Sequence, residues 1–319
     1  MTPRHGRGKG WIAALVAAVP IALAAYQSIS TWRDLAAAPA PGQLIDVAGP
    51  RLHLLCKGSG LPTVVLESSG FGNYLQYEKV QADVAGTTRA CAYDRAGMGY
   101  SEPGPMPRTL ERLSGELEAL LREARLPPPY VLAGASAGGI VSRSFTSRHP
   151  ADVCGVVLID SPHEDFANAL PRSRAKASRQ AHLAAWLARF GLMRVWDPFR
   201  LGDSRSARAV VYRPQAFEAA ASLVDELQPS LRQLRDLPPM RVDLPLVVLT
   251  HTRPGELLGV DADEEREAEP KWQELERALA HKSKRGRLVV AEGSGHLIAR
   301  DRPDLVTRAI LDVVADCRR

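Results

Sequence analysis

Short apolar runs and longer segments of helical periodicity alternate along most of the chain. An opening pair of strands is predicted at 44–47 and 51–55, joined at Gly49-Pro50. Beyond this hairpin the apolar runs lack polar alternation, which is typical of strands buried on both faces of a parallel sheet. These runs lie at 63–66, 89–93, 130–133, 156–159, 246–249 and 287–290. Their alternation with helices predicts an α/β fold, with a mainly parallel sheet and helices on both faces.

Helices are predicted between the strands, and one long helical stretch interrupts the strand–helix alternation. Thr109 is placed as the N-cap of a helix over 109–125, and a later helix is predicted over 271–281. Between residues 164 and 243 the alternation stops, and the sequence is rich in Ala, Arg and Leu. Helical patterns recur there at 178–190, 207–212 and 215–235. We therefore interpret 164–243 as a helical segment inserted into the core.

The N-terminal segment has the pattern of a targeting sequence. Basic residues within the first ten precede an uncharged stretch from Trp11 to Trp32, which is apolar chiefly as far as Tyr26. This arrangement is typical of a signal peptide or an uncleaved signal anchor, and the stretch is about long enough to span a bilayer. We expect 1–32 either to anchor the chain with its remainder outside the cytoplasm, or to be cleaved so that the protein is secreted. A soluble Ala-rich helix remains the alternative.

Composition and charge exclude one class of partner. The formal net charge is +5, but three of the positive charges lie in the first ten residues, and no basic stripe with interleaved aromatic residues follows. We therefore expect no nucleic-acid binding. The four cysteines lack metal-ligand spacing, so no metal site is predicted. The predicted units are an N-terminal segment, an Ala/Pro-rich linker, a two-part core and the insertion: 1–32, 33–43, 44–163 with 244–319, and 164–243.

The strongest chemical motif is Gly134-Ala135-Ser136-Ala137-Gly138, between the apolar run 130–133 and a helical pattern. In a tight strand–turn–helix unit, a Gly-x-Ser-x-Gly motif projects its serine hydroxyl out of the fold. The glycines suit a turn in which strand and helix approach too closely for a β-carbon. The helix N-terminus favours developing negative charge. We therefore predict that Ser136 is a nucleophile.

A serine nucleophile requires a base, and the base requires an acid. His296, in Gly293-Ser294-Gly295-His296 directly after the last strand, is the expected base, and we interpret the other seven histidines as exposed or structurally satisfied. Asp160 is the expected acid because it directly follows the strand 156–159, and a rigid strand end positions a side chain better than a loop does. Glu256 and Asp261, after the strand 246–249, remain alternative acids, and a turn or cap role remains open for Asp160.

Acyl transfer also requires donors for a developing oxyanion. The Ala137 amide is placed by the turn after Ser136, and the Phe71 amide is the expected second donor, in the glycine-bearing loop after the strand 63–66. These loops fall at the carboxyl ends of parallel strands, where active sites of such sheets lie. A purely structural turn is the alternative for the Phe71 loop.

Taken together, these motifs resemble the α/β-hydrolase family over about 44–319. The motifs are 69–72 (Ser-Gly-Phe-Gly), 93–101 (Tyr-Asp-Arg-Ala-Gly-Met-Gly-Tyr-Ser), 134–138 and 295–296 (Gly-His), in the family's order. The resemblance implies an eight-stranded, mainly parallel sheet, a helical cap after the sixth strand and no cofactor. The family's usual acid position holds Arg253-Pro254 here, which favours Asp160. Its usual His-Gly oxyanion pair is replaced by Ser69-Gly70.

The resemblance also places Cys56 and Cys91 on neighbouring strands and so favours a disulfide between them in an exported protein. The sequence alone is equally consistent with four separate buried thiols. The expected function is that of a serine hydrolase that cleaves a carboxylic ester of a modest, partly apolar small molecule through an acyl-enzyme. The alternatives are a lyase, a perhydrolase, a carbon–carbon hydrolase and a non-catalytic ligand-binding homologue. Beyond its substrate, the only partner expected is a membrane, through the N-terminal segment.

Overall fold

The computed structural model describes residues 8–168, 170–202, 204–254 and 260–319. Eight strands form one sheet in the order β1-β2-β4-β3-β5-β6-β7-β8. The strands are β1 (Gln43–Asp46), β2 (Arg51–Lys57), β3 (Thr63–Glu67), β4 (Ala90–Tyr93), β5 (Tyr130–Ala135), β6 (Val153–Ile159), β7 (Leu246–His251) and β8 (Gly286–Ala291). The first two strands are antiparallel to their neighbours, and β3 to β8 are parallel to one another. The predicted mainly parallel sheet is confirmed.

Helices cover both faces of the sheet. Those outside the insertion are α1 (Gly8–Ala37), α2 (Glu78–Ala85), α3 (Leu110–Glu123), α4 (Ala137–Arg148), α9 (Ala262–Ala280), α10 (Ile298–Asp301) and α11 (Pro303–Cys317). Adjacent residues of β5 point to opposite faces: Leu132 belongs to an apolar cluster with α3 and α4, and Val131 to one with α2 and α11. Within the sheet, β5 lies between β3 and β6. Its carboxyl end is therefore near the middle of the sheet edge.

Among the described residues, four α-helices lie between β6 and β7, in the segment that we interpret as an insertion. They are α5 (Pro171–Arg189), α6 (Leu192–Trp196), α7 (Arg205–Val211) and α8 (Pro214–Asp236), and we call this group the cap. Within the cap α5 packs on α8, and α8 packs on α4 of the core. The cap therefore stands directly over the helix that begins at the predicted nucleophile.

The helix predicted over 271–281 is longer than its sequence pattern indicates. It begins at Ala262 as α9 and continues through Pro270, and the side chain of Asp261 caps it by accepting from the Asp263 amide at 3.1 Å. The acidic first turn suits the positive end of the helix dipole. As a result, residues 262–270, which precede the predicted helix, form the first turns of a helix packed on β7.

The predicted membrane anchor is not supported. Residues 8–37 form α1, but no helix in the described ranges is long and apolar enough to cross a membrane. The apolar run ends at Tyr26, and polar side chains then contact the cap. Gln27 is buried and donates to the Tyr212 carbonyl at 2.7 Å, while Asp34 pairs with the buried Arg194 of α6. These polar contacts join the C-terminal half of α1 to the protein itself.

Two disulfides connect distant parts of the sequence. Cys56 of β2 bonds to Cys91 of β4, where the two residues are register partners. Cys154 of β6 bonds to Cys317 at the end of α11. The first disulfide ties the antiparallel hairpin to the parallel sheet, and the second ties the closing helix to the sheet centre.

Candidate active site

Ser136 lies at the turn between β5 and α4 with φ +51° and ψ −121°, a conformation that is strained for a residue with a side chain. Its amide donates to the Ile159 carbonyl at 2.9 Å, which ties the turn to β6. A β-carbon at Gly134 would overlap the Gly138 backbone, and one at Gly138 would overlap the Glu67 carbonyl. The glycines at 134 and 138 are therefore required by close packing, as the motif predicts.

The structure brings His296 and Asp160 together with Ser136. Nε2 of His296 lies 3.0 Å from Oγ of Ser136, and its Nδ1 lies 2.6 Å from Oδ2 of Asp160. The loop after β8 that carries His296 is held by Asp301, whose carboxylate accepts from the Gly295 amide at 3.0 Å. The three side chains form a continuous hydrogen-bonded chain from hydroxyl to imidazole to carboxylate.

Asp160 is fully buried at the end of β6, with φ +49°, and its amide donates to the Leu249 carbonyl at 2.7 Å. Its Oδ1 accepts from Trp272 Nε1 at 3.1 Å and from the His251 amide at 3.2 Å. Burial favours the neutral acid, but hydrogen bonds from His251 and His296 outweigh burial and lower the pKa of Asp160 to about 2. Asp160 is therefore an anion throughout the neutral range.

His251 is a site residue that the sequence analysis missed, because it interpreted this histidine as structural. It ends β7 and is buried, with Nδ1 at 2.7 Å from Asp160 Oδ2 and Nε2 at 3.1 Å from Glu269 Oε2. Burial favours neutral imidazole, but the hydrogen bonds to Asp160 and Glu269 outweigh it and raise the pKa of His251 to about 10. His251 is thus a buried imidazolium between two carboxylates, and its position at a strand end was the available signal.

Of the two alternative acids, the described one, Asp261, does not join this hydrogen-bonded chain. Asp261 caps α9, is half-exposed, and lies 3.8 Å from Lys176 Nζ. Glu256 lies outside the described residues. The residue that the structure places against His296 is Asp160.

The loop after β3 contains Phe71 and is held by a buried ion pair. Arg95 Nη1 lies 2.5 Å from Glu67 Oε1, and both side chains are almost fully buried. The Arg95 guanidinium also donates to the Ser68 carbonyl at 2.7 Å and to the Ser69 carbonyl. The loop reaches the turn at Ser136, since a β-carbon at Gly70 would lie 3.8 Å from the Ala137 β-carbon. Arg95, from the glycine-rich motif 93–101, thus fixes the loop in which an oxyanion donor is expected.

A cavity of about 140 Å³ lies between this loop and the cap. Its lining is almost entirely apolar and comprises Phe71, Gly72, Asn73, Met98, Gly99, Phe199, Leu201, Val210, Val211, Ala216 and Phe217. Phe71 is 40% exposed and stands at the boundary between the cavity and the loop. The cap therefore contributes an apolar wall on the side of the predicted oxyanion donor.

Asp160, His251 and His296 are also close enough together to be considered as metal ligands. The donor–acceptor distances of 2.6 and 2.7 Å to Asp160 Oδ2 are those of hydrogen bonds. Ligands on a tetrahedral zinc at roughly 2.0–2.1 Å would stand about 3.3 Å apart. A positively charged His251 is in addition unavailable as a ligand. The arrangement fits a proton-bearing hydrogen-bond chain better than a metal centre, and the absence of a cofactor stays a prediction.

Comparison with known proteins identifies the family. A model of the alpha/beta hydrolase family matches residues 52–309, and the chain therefore belongs to this family. It is similar to protein YqjL of Bacillus subtilis strain 168, with 26% identity over 81% of this chain and 85% of the relative. The chain covers 37% and 46% of the length of two other curated relatives.

Solved structures agree on the fold. A thermophilic esterase from Thermogutta terrifontis matches with a TM-score of 0.61 and 21% identity, over 85% of this chain and 95% of that chain. A Vigna radiata epoxide hydrolase matches with a TM-score of 0.67 and 14% identity, over 86% of this chain and 98% of that chain. The predicted α/β-hydrolase fold is confirmed, and the neighbours are hydrolases of more than one kind.

Proposed function

We propose that the protein is a serine hydrolase that cleaves a carboxylic ester, or a related acyl bond, through an acyl-enzyme. The observation that carries this proposal is the hydrogen-bonded chain from Ser136 through His296 to Asp160, with 3.0 Å and 2.6 Å between the paired atoms. A hydroxyl at a strained turn, a base within hydrogen-bond reach and a buried carboxylate behind the base are the parts of a serine nucleophile system.

In the proposed reaction Oγ of Ser136 attacks the acyl carbon while Nε2 of His296 takes the hydroxyl proton. The amides of Ala137 and Phe71 would donate to the oxygen that becomes negative. His296 then delivers its proton to the departing alcohol as the carbon–oxygen bond breaks. Water attacks the acyl-enzyme with His296 again as base, and the carboxylic acid leaves with Ser136 restored. Asp160 holds Nδ1–H of His296 and stabilises the imidazolium in both halves.

The cavity supports a modest apolar substrate group. Its volume of about 140 Å³ is close to that of an apolar protein cavity of about 150 Å³ that binds benzene. We infer that it takes a group of about six carbon atoms, such as a short acyl chain or a small ring. Phe199 and Phe217 line the cavity on the cap side, so we infer that a longer chain would contact them.

A serine nucleophile argues against epoxide hydrolysis as an alternative function. Attack of the Ser136 hydroxyl on an epoxide carbon would leave an ether, which an oxyanion site and a base cannot hydrolyse, whereas attack on an ester leaves a hydrolysable acyl group. Lyase, perhydrolase and carbon–carbon cleavage stay as alternatives, and peroxide-dependent halogenation above esterase activity would favour the perhydrolase. A non-catalytic ligand-binding role is the remaining alternative.

The two disulfides support a location outside the cytoplasm, because such bonds persist chiefly in oxidising compartments. In this proposal the partner is a small-molecule ester. Attachment to a membrane through residues 1–32 is not part of the proposal.

The test combines active-site labelling with turnover of p-nitrophenyl esters from acetate to decanoate. We expect a fluorophosphonate to label Ser136, and Ser136→Ala to lose both labelling and at least about 10³-fold in kcat while remaining folded. Ser28→Ala is the matched control, since Ser28 is an exposed serine on α1 bonded only to the Ala24 carbonyl. Wild-type turnover in Ser136→Ala would refute the proposal.

A further inference from the structure

His251 connects the acid of the proposed triad to a second carboxylate. Its Nδ1 and its backbone amide contact both oxygens of Asp160, at 2.7 Å and 3.2 Å, and its Nε2 contacts Glu269 of α9 at 3.1 Å. The Asp160 carboxylate is therefore held by two donors of one residue, one on each of its oxygens. Asp160 has φ +49°, a conformation that is unfavourable for a residue with a side chain and that persists only when the surroundings hold it. The contacts from His251 therefore help to fix the orientation of the carboxylate.

The charges around His251 come from several elements. They are Asp160 after β6, His296 after β8, Glu265, Glu269 and Glu276 on α9, and Arg143 of α4, which faces Glu276. Burial and the nearby charge of Asp160 raise the pKa of Glu276 well above its usual range. The hydrogen-bonded group of Asp160, His251 and Glu269 carries a net charge of −1, since both carboxylates are ionised and His251 is cationic.

The net charge of this group affects how strongly a protonated His296 is stabilised. A cationic His251 alone would offset part of the effect of Asp160 and weaken the stabilisation of an imidazolium on His296. Glu269 restores a net negative charge beside His296, while His251 keeps its hydrogen bonds to Asp160. The two residues therefore make opposite electrostatic contributions at the base.

We propose that His251 and Glu269 form a positioning pair for the acid of the triad. His251 fixes the carboxylate of Asp160, and Glu269 offsets the charge of His251, so that Asp160 retains its effect on His296. This inference rests on the proposed function, and both residues act through Asp160 and do not touch the substrate.

The pair predicts pH shifts of opposite sign. In His251→Asn the amide can replace the Nδ1–H donor, but the net charge becomes −2, so protonated His296 is favoured and the acidic limb of kcat/KM moves to higher pH. At the 6.4 Å between the His251 and His296 rings, an effective dielectric constant of about 20 corresponds to a shift of roughly one to two pH units. In Glu269→Gln the net charge becomes zero, and the limb moves to lower pH by a smaller amount, since Glu269 lies beyond His251.

The double variant His251→Asn/Glu269→Gln restores a net charge of −1. Because the removed cation of His251 lies nearer to His296 than the removed carboxylate of Glu269, the acidic limb of the double variant is expected between those of the wild type and His251→Asn. His251→Phe removes the donor as well as the charge, and we expect it to lose at least tenfold more kcat than His251→Asn. Glu274→Gln is the control, because Glu274 is exposed on the same helix and pairs with Lys271.

The experiment measures pH profiles of kcat/KM for p-nitrophenyl butyrate at fixed ionic strength, with the His296 ring-proton chemical shift as a second readout. The chemical shift of the His296 ring proton, followed as a function of pH, reports the change in the protonation of His296 even if the protein has no esterase activity. Failure of the proposed function and failure of this inference are therefore distinguishable. Opposite shifts in the two single variants, with the double variant between the wild type and His251→Asn, support the positioning pair. Shifts of the same sign, or profiles that coincide with the Glu274→Gln control, overturn it. Glu269 is partly exposed, so Glu269→Gln tests the sign even where a His251 variant does not fold.

Discussion

Asp160→Asn tests the choice of acid and has effects that the structure allows to be estimated. Each carboxylate oxygen of Asp160 accepts two N–H donors: His251 and His296 on Oδ2, and Trp272 with the His251 amide on Oδ1. An asparagine offers one oxygen and one NH₂ group. Whichever way the amide turns, its NH₂ faces two buried donors that it cannot accept from.

Two donors that lose their acceptor cost about 1–3 kcal/mol each, so the free energy of unfolding should fall by roughly 2–6 kcal/mol. The effect on turnover is larger, because Asn no longer holds His296 with a proton on Nδ1 or stabilises its charged form. Loss of the equivalent carboxylate in a serine triad lowers kcat by about 10⁴. We therefore expect Asp160→Asn to fold with reduced stability and to retain about one ten-thousandth of wild-type kcat.

The assay measures kcat on p-nitrophenyl butyrate beside urea unfolding of the same preparations. The matched variants are Asp261→Asn and Glu256→Gln, which alter the other two candidate acids. Asn is itself a good N-cap, so Asp261→Asn should leave both the stability of α9 and turnover nearly unchanged. A kcat for Asp160→Asn within tenfold of wild type would refute the assignment, as would a thousandfold loss in either of the other two variants.

Three further outcomes follow from the fold and the site. Because the pKa of His251 is raised to about 10, its stabilising contribution is complete below about pH 6.5 and is lost as pH rises towards 10; the unfolding free energy should fall over this window by about 3–5 kcal/mol, and by much less in His251→Asn. The disulfides Cys56–Cys91 and Cys154–Cys317 close loops of 35 and 163 residues, so in a chain-entropy account their reduction should lower the unfolding free energy by about 4 and 5 kcal/mol, respectively. Urea unfolding with and without reductant measures this loss, and an unchanged unfolding free energy would contradict both disulfides. Ala216→Phe fills the cavity, so kcat/KM should fall at least about tenfold for hexanoate and little for acetate; equal losses on both esters would argue against the cavity as the acyl site.

The predictable part of the site lies where one short segment carries the whole signal. Gly134 and Gly138 are required by contacts within a strand–turn–helix unit, so the motif alone indicates Ser136. His296 and Asp160 directly follow β8 and β6, and parallel strands bring their carboxyl ends to one edge of the sheet. The order of apolar runs was therefore enough to predict that these residues meet.

The N-terminal segment shows what composition does not report. An apolar stretch with basic residues before it is typical of an anchor, but the pattern does not reveal that Gln27 and Asp34 have partners in the cap. Those partners, the Tyr212 carbonyl and Arg194, lie more than 150 residues away in sequence. Periodicity within a segment reports its own apolar content and carries no information about a docking surface of this kind.

His251 and Glu269 were missed for a related reason, since each has meaning only with the other. A histidine at the end of β7 reads as one of several satisfied residues until a carboxylate is placed opposite it. Glu269 lies in α9, whose predicted start at 271 fell after it, because Pro270 is typical of a helix boundary. The N-cap of Asp261 extends the helix backwards and turns Glu269 towards β7. The position at which α9 begins therefore decides whether Glu269 can reach His251, and with it whether the acid of the proposed triad has a charged partner. The pH profiles of Glu269→Gln and His251→Asn test this arrangement of the two residues together.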